Sequence, residues 1–380
     1  MDSDLHVMEP PDLFERYLED RFQSRVPQRR PFHEGGGAWH LDDKPYPPYS
    51  ATERYKSRYT GLREKQSRIP EHVDAAAKGF DAPTTLRAMD MEGVDVAILY
   101  RTSGGMLSIG VDGLEPDFAF ALARAYNNWL SDYCKTDPER LKGVACIPLC
   151  DIEMAVEETR RTVKELGFVG ITVHAEPVND RLPHDREVDP LWAEVERLGS
   201  SLGFHGTSLA PSKWDITHKY FNHPAGGTFT HAISFPTQLI TSMGGLILSG
   251  VLERFPKLRV AFLEGNCSWL PWWLYRMDDQ WNKYGPYEEG PILSMKPSEY
   301  FLRNCWISMD PDEELTLDVI KRIGDENIVL STDYPHPDSA FPHAMDEFFD
   351  LELSPESQKK ILWDNCARFY GMEDTPRDRG

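Results

Sequence analysis

Six histidine and carboxylate side chains in this sequence stand at or directly after short apolar runs. They are Asp4 and His6 in the opening run, His174 after FVGITV, His205 after SLGF, Glu264 after LRVAFL and Asp333 after IVLST. Neutral imidazole and carboxylate are the ligand types for Zn²⁺, Mn²⁺ or Fe²⁺, and alternate residues such as Asp4 and His6 point the same way from a strand. Taken singly, each has a plainer use. A lone histidine after an apolar run more often hydrogen-bonds within the core, Asp333 is able to cap the turn before Pro335, and Glu264 is able to pair with an arginine such as Arg276. Their joint placement selects the metal site, because ionisable groups gathered in a fold are costly unless an ion or one another compensates them. A mononuclear catalytic site needs about three protein ligands and an open position. This set exceeds that number, so one or two divalent ions are expected, with a carboxylate bridging ions about 3.5 to 4 Å apart in the second case.

Further donors lie nearby in the chain. Glu9, His218, His223 and His231 are candidates for a second metal or for substrate, against the plainer reading of Glu9 as a loop-fixing acid and of the three histidines as a polar loop around Gly226 and Gly227. His336, held between Pro335 and Pro337, reads as a turn residue rather than a ligand. Trp269, Trp272 and Trp273 are the candidate walls of an apolar pocket, with at least one expected to pack its helix instead.

To converge, these residues need a scaffold that brings many strand ends together. The chain alternates short apolar runs with amphipathic stretches: strands are expected at the opening through Leu5, Gly93–Tyr100, Leu141–Ile147, Phe168–Val173, Ser201–Phe204, Leu258–Leu263, Cys305–Ser308 and Ile328–Ser331. Helical spacing links them, as over Asp117–Cys134, Ile152–Leu166, Pro190–Leu198, Pro236–Phe255 and Ser268–Trp281. Eight strands alternating with helices close a parallel α/β barrel, a (β/α)8 TIM-like fold whose active site lies at the carboxyl ends of the strands. The 380 residues then form one domain, with insertions at about 24–80, 206–235 and 282–301 read as lids over one mouth.

A net charge of −21 argues against a nucleic-acid partner, which needs a basic surface. No run of about 18 apolar residues exists to span a membrane, and Asp2, Asp4 and Glu9 interrupt any secretory pattern at the start, so a cytoplasmic protein is expected. The six cysteines show no paired metal-binding spacing and read as buried thiols. A small-molecule substrate is the expected partner, with a homo-oligomer left open.

Four blocks, SDLHVMEPPDLF, ARAYNNWLSDYC with DPERLKGVACIPL, GVLERFPKLRVAFLEGNCSWLPWWLYRMDD and STDYPHPDS, resemble the second amidohydrolase family. That family comprises metal-dependent barrel enzymes and includes aminocarboxymuconate semialdehyde decarboxylase and related aromatic-acid decarboxylases. The resemblance implies that Asp4 and His6 occupy the place of the first-strand ligand pair, His205 that of the fifth-strand histidine and Asp333 that of the eighth-strand aspartate. It departs at Glu264, where the decarboxylases carry a catalytic histidine, and at His174, where relatives have arginine or an apolar residue.

The leading expectation is therefore hydrolysis of a small or hydrophobic carbonyl compound by metal-activated water. Asp333 would act as ligand and base, and Glu264 as bridging ligand or second acid. Two alternatives stand beside it: monooxygenation at a pair of non-haem irons, which carboxylates with several histidines also suit, and non-oxidative decarboxylation of an aromatic or unsaturated acid.

Overall fold

The computed structural model describes residues 1–33, 36–46, 60–207, 220, 223, 225–290 and 293–375. Eight parallel strands form one sheet: β1 (Asp2–His6), β5 (Ala97–Tyr100), β6 (Leu141–Cys146), β7 (Gly170–Val173), β8 (Ser201–His205), β9 (Arg259–Leu263), β10 (Cys305–Met309) and β11 (Ile328–Leu330). They lie side by side in chain order, which matches the eight runs read from the sequence. The seam between first and last strands is stitched by hydroxyls. Ser3 Oγ donates to the Leu330 carbonyl at 2.6 Å, Ser331 Oγ donates to the Asp4 carbonyl at 3.1 Å, and the His6 amide reaches the Tyr334 carbonyl at 2.8 Å.

Strand alternation divides the core in two. Ala97, Leu99, Leu202, Phe204, Val260, Phe262, Ile307 and Leu330 face outward, into the main apolar cluster under the helices. Ile98, Tyr100, Val144, Ala261, Leu263, Trp306 and Val329 face inward and meet Phe369 and Tyr370 of the helix Asn365–Tyr370. Tyr100 fits only because Gly203 lacks a side chain, since a Cβ there would lie 2.0 Å from the tyrosine hydroxyl. The helices begin and end where their sequences dictate. Asp81 accepts from the Thr84 amide to cap Ala82–Glu92, Asp151 does the same through Met154 for Ile152–Lys164, and Gly93 at φ 69° closes the first of these. The single helix expected over 236–255 is two, Phe235–Leu248 and Val251–Arg254, because Gly250 turns left-handed at φ 74°. No helix among the described residues is long and apolar enough to cross a membrane.

The insertions behave differently from one another. The first holds a three-stranded antiparallel sheet, β2 (Gln28–His33), β3 (Gly36–Leu41) and β4 (Lys44–Tyr46), followed by helices Thr60–Gln66 and Pro70–Ala77. It packs on the loops that follow β5 and β11: Trp39 is buried against Phe14 and its indole N–H reaches Ser103 Oγ at 3.2 Å, while Gln66 donates to the His336 carbonyl at 2.8 Å. In the second insertion the described part ends in a short helix, Gly226–Phe229, and one π turn leading into Phe235–Leu248. The third, 282–301, is not a lid. It joins helix Leu270–Tyr284 to helix Pro297–Asn304, which runs straight into β10. Asn304 bonds the Pro256 and Leu258 carbonyls, just before β9 begins. A helix-to-strand connection lies at the amino ends of the strands, opposite the mouth.

Candidate metal centre

β1 points Asp2, Asp4 and His6 into the barrel, and all three are buried. His6 Nδ1 contacts the Arg101 carbonyl at 2.8 Å, and His205 Nδ1, at the end of β8, contacts the Gly206 carbonyl. A carbonyl can only accept, so both Nδ1 atoms carry the proton and both Nε2 atoms present lone pairs to the barrel axis. Those two lone-pair nitrogens are 2.9 Å apart. Around them lie Asp4, with Oδ1 3.8 Å from His6 Nε2 and Oδ2 3.4 Å from His205 Nε2, and Glu264, with Oε2 2.6 Å from His205 Nε2 and 3.5 Å from His6 Nε2. Asp333 Oδ1 stands 3.3 Å from His6 Nε2.

This gathering of lone pairs fits a divalent cation. Donors about 2.0 to 2.2 Å from one ion are about 3 Å from each other, which is the spacing found. Both oxygens of Asp4 and Oε2 of Glu264 are buried with no hydrogen-bond partner, a cost that a cation removes. Electrostatics agree. Burial and the charges of Glu264, Asp333 and Asp2 hold Asp4 well above the usual carboxylate range. Burial also raises Glu264 to about 8 and Asp333 to about 7, although His336 opposes both shifts. Burial lowers His205 to about 3 and His6 well below the ordinary imidazole value, so both rings are neutral and ready to ligate. Glu264 and Asp333 sit at φ 55° and φ 56°, left-handed values that cost a non-glycine residue about 1 to 3 kcal/mol.

Facing the acceptors is a group of donors. Arg101, directly after β5, is 2 % exposed, and its Nε and Nη2 have no partner. His174, directly after β7, is buried and stands outside both sets of clustered ligand atoms. Its Nδ1 lies 3.1 Å from both the amide nitrogen and the carbonyl oxygen of Glu176, its Nε2 is unpartnered, and burial lowers it to about 4. The ligand role expected for it is corrected: His174 packs beside Tyr46, since a Cβ at Gly110 would touch Tyr46 Oη at 2.8 Å and His174 Cδ2 at 3.2 Å. Tyr46, brought in by β4, has a buried hydroxyl without a partner.

The remaining described candidates stand outside both sets of clustered ligand atoms. Glu9 accepts from the amides of Thr102 (3.1 Å) and Gly105 (3.0 Å), so its carboxylate shapes the loop after β5. His223 is exposed and accepts from the Ala225 amide, while His231 lies 3.4 Å from Asp338 and stacks on Phe235. His218 lies outside the described residues. Of the three tryptophans, Trp272 is 57 % exposed, Trp273 packs against Gly244, and Trp269 donates its indole N–H to the Gly265 carbonyl, directly after Glu264.

Three residues of the mouth escaped the sequence reading. Arg101 and Asp310 follow the runs ending at Tyr100 and Met309, so the strand-end rule that found the others points to them as well. Asp310 accepts from Asn266 Nδ2 at 2.7 Å and is raised to about 8 by burial and by Glu313. His336, set aside as a turn residue, folds back so that its Nδ1 is 2.7 Å from Asp333 Oδ1.

The sequence profile described as Amidohydrolase matches residues 2–372. The chain belongs to this amidohydrolase family. Among its relatives, a gamma-resorcylate decarboxylase from Polaromonas is 28% identical over 298 residues, covering 76% of this chain and 86% of the relative. The 2,6-dihydroxybenzoate decarboxylase from Rhizobium superposes with a TM-score of 0.65 at 26% identity, covering 76% of this chain and 88% of that one. A dihydroxybenzoic acid decarboxylase from Polaromonas, solved with manganese and 2-nitroresorcinol, matches with a TM-score of 0.62 at 22% identity, covering 97% of this chain and 95% of that one. Within the family the chain is a metal-dependent barrel enzyme, and Glu264 stands at the end of β9.

Proposed function

We propose that this chain removes CO₂ from an aromatic or unsaturated carboxylic acid without oxidation, using a divalent ion such as manganese. The observation that carries this reading is Arg101, a buried guanidinium with unpartnered N–H groups on the rim facing the ion-binding donors. The names of the relatives support it. Asp4, His6, His205 and Glu264 would hold the ion, which when bound supplies positive charge to substrate oxygens.

The chain's own residues account for the rest. Arg101, His174 Nε2 and Tyr46 Oη would hold an oxygen substituent of the substrate. As the bond to the carboxylate breaks, its electron pair enters the ring while CO₂ departs neutral. A cation facing the ring oxygen therefore binds the transition state more strongly than the ground state. One proton must replace CO₂ on the carbon. Asp310, held protonated at neutral pH by burial, is the donor on the rim between Glu264 and Asp333. The balance is one carboxylate and one proton giving one arene and one CO₂.

The test is anaerobic incubation of manganese-loaded protein with a panel of hydroxybenzoates. One CO₂ per arene formed is expected, and Arg101→Met should lose it. A second reading, hydrolysis, is favoured by Asp333, whose carboxylate beside His6 is placed to accept the proton of a water. Incorporation of solvent ¹⁸O into product without CO₂ would establish hydrolysis and remove decarboxylation.

A further inference from the structure

We infer, on the reading of Asp310 as proton donor, that Asn266 and Glu313 are its positioning residues: Asn266 holds its carboxyl, and Glu313 clips together the two loops on which that pair stands. Asn266 lies in the loop after β9 and Asp310 directly after β10, and Asn266 Nδ2 donates to Asp310 Oδ2 at 2.7 Å. That bond engages one oxygen of the carboxyl and leaves Oδ1 for the transferred proton. The group cannot turn about its Cβ–Cγ bond without losing it. The orientation of the donor is thus set from a neighbouring loop.

Glu313 supplies the frame. It is 8 % exposed, and its own turn closes on itself: the Glu313 amide donates to the Asp310 carbonyl at 3.1 Å, and the Asp310 amide donates back to Glu313 Oε2 at 3.4 Å. From there the carboxylate reaches across to the loop after β9. Its Oε1 accepts from the amides of Cys267 at 2.9 Å and Ser268 at 2.8 Å and from the Ser268 hydroxyl, while Oε2 also accepts from the Cys267 amide at 3.1 Å. A buried carboxylate is costly unless several donors meet it. Here those donors come from both loops, so satisfying the charge draws the loops together.

The loop after β9 has little freedom of its own. Asn266 takes a left-handed φ of 58°, a region that asparagine adopts more readily than most residues. Gly265 before it packs on the helix Phe235–Leu248, since a Cβ there would lie 2.5 Å from Leu239 Cδ1, and its carbonyl accepts the Trp269 indole N–H at 2.8 Å. The helix on one side and Glu313 on the other therefore aim the Asn266 amide at Asp310. Such aim matters to a proton donor, because a misplacement of about 1 Å costs on the order of 10²-fold in rate.

Two double-variant cycles on the full-length protein at saturating Mn²⁺ test this, one without substrate and one with it. Asn266→Gly keeps the left-handed turn and removes the amide, and Asp310→Ala removes its partner. In urea unfolding the two losses should be non-additive by about 3-fold or more in the unfolding constant, and Glu313→Gln should erase most of that coupling. With 2,6-dihydroxybenzoate, Asn266→Gly should lower kcat by about 10 to 100-fold with KM within about 2-fold and metal content unchanged, and should cost nothing further once Asp310 is replaced. Additive unfolding losses, or full kcat in Asn266→Gly where Asp310→Ala has lost it, overturn the inference. If the unsubstituted protein releases no CO₂, or Asp310→Ala keeps full kcat, the decarboxylase reading falls, and the unfolding cycle still decides whether Asn266 holds Asp310.

Discussion

The two rims of the barrel mouth are opposites in hydrogen-bonding character. On and just after β1, β8 and β9 the side chains present lone pairs with no donor to meet them, those of Asp4, His6 Nε2, His205 Nε2 and Glu264, while Asp333 after β11 meets only His336. On β5 and β7, with Tyr46 reaching in from β4, the unmet groups of Arg101 and Tyr46 are donors, and His174 Nε2 stands unpartnered among them. Neither rim is satisfied by itself, and each unmet buried group costs about 1 to 3 kcal/mol. A cation completes the first rim and an oxyanion the second. The site is therefore described by what is missing from each side: a metal ion, and a substrate bearing negative oxygen.

The sharpest way to break this contrast is to disable one rim at a time. Asp4→Asn should reduce metal affinity by about 100-fold or more and abolish turnover, as read by elemental analysis and CO₂ release. Asp310→Asn should leave metal content unchanged but lower kcat by about 10² to 10⁴-fold, the usual range for loss of a general acid. Full kcat in that variant would remove Asp310 from the mechanism. On the donor rim, Arg101→Met should lower kcat/KM by about 10 to 150-fold with the ion retained, and Tyr46→Phe by about 2 to 10-fold.

The acceptor rim also predicts a pH trend. Glu264, Asp333 and Asp310 have folded values of about 8, 7 and 8, all above their unfolded values. Between pH 6.5 and 8 (roughly), the folded metal-free protein therefore binds more protons than the unfolded chain, and its stability falls as pH rises. His174 and His205 are neutral in both states over most of that window and contribute little. Thermal melts of chelated protein should show Tm decreasing through this range, and saturating Mn²⁺ should flatten or reverse the trend. A chelated protein whose Tm rises from pH 6.5 to 8 would contradict the crowding of carboxylates. The smallest effect is expected at Trp272, which faces solvent: Trp272→Ala should change stability by less than about 0.5 kcal/mol and leave substrate affinity alone.

Much of this site was legible because its determinants are local. An apolar run announces a strand, and the residue ending it lies at the mouth, a rule that found Asp4, His6, His205, Glu264 and Asp333 and applies equally to Arg101 and Asp310. What escaped depended on direction. Whether Trp272 faces a pocket or water is set by how its helix leans on the neighbouring one. Whether 282–301 covers the mouth depends on its being a helix-to-strand connection, and the helix Leu270–Tyr284 runs past the boundary read from the sequence. His174 satisfied the strand-end rule, yet it packs beside Tyr46 from an insertion whose antiparallel sheet was not foreseen.

The sequence by itself thus determined the alternation, the eight strand ends and the chemical types gathered there, because side-chain period and apolar runs are properties of neighbours along the chain. Only the tertiary structure decided which of those groups come within ligand distance of one another. His336 joins Asp333 because the chain turns back after β11 and a Thr102 hydroxyl from the loop after β5 takes the far side of its ring. His174 stays outside both sets of ligand atoms and lies near Tyr46 across Gly110. Ligand sets are made by distances between segments far apart in sequence, and those distances come into being only when the barrel closes.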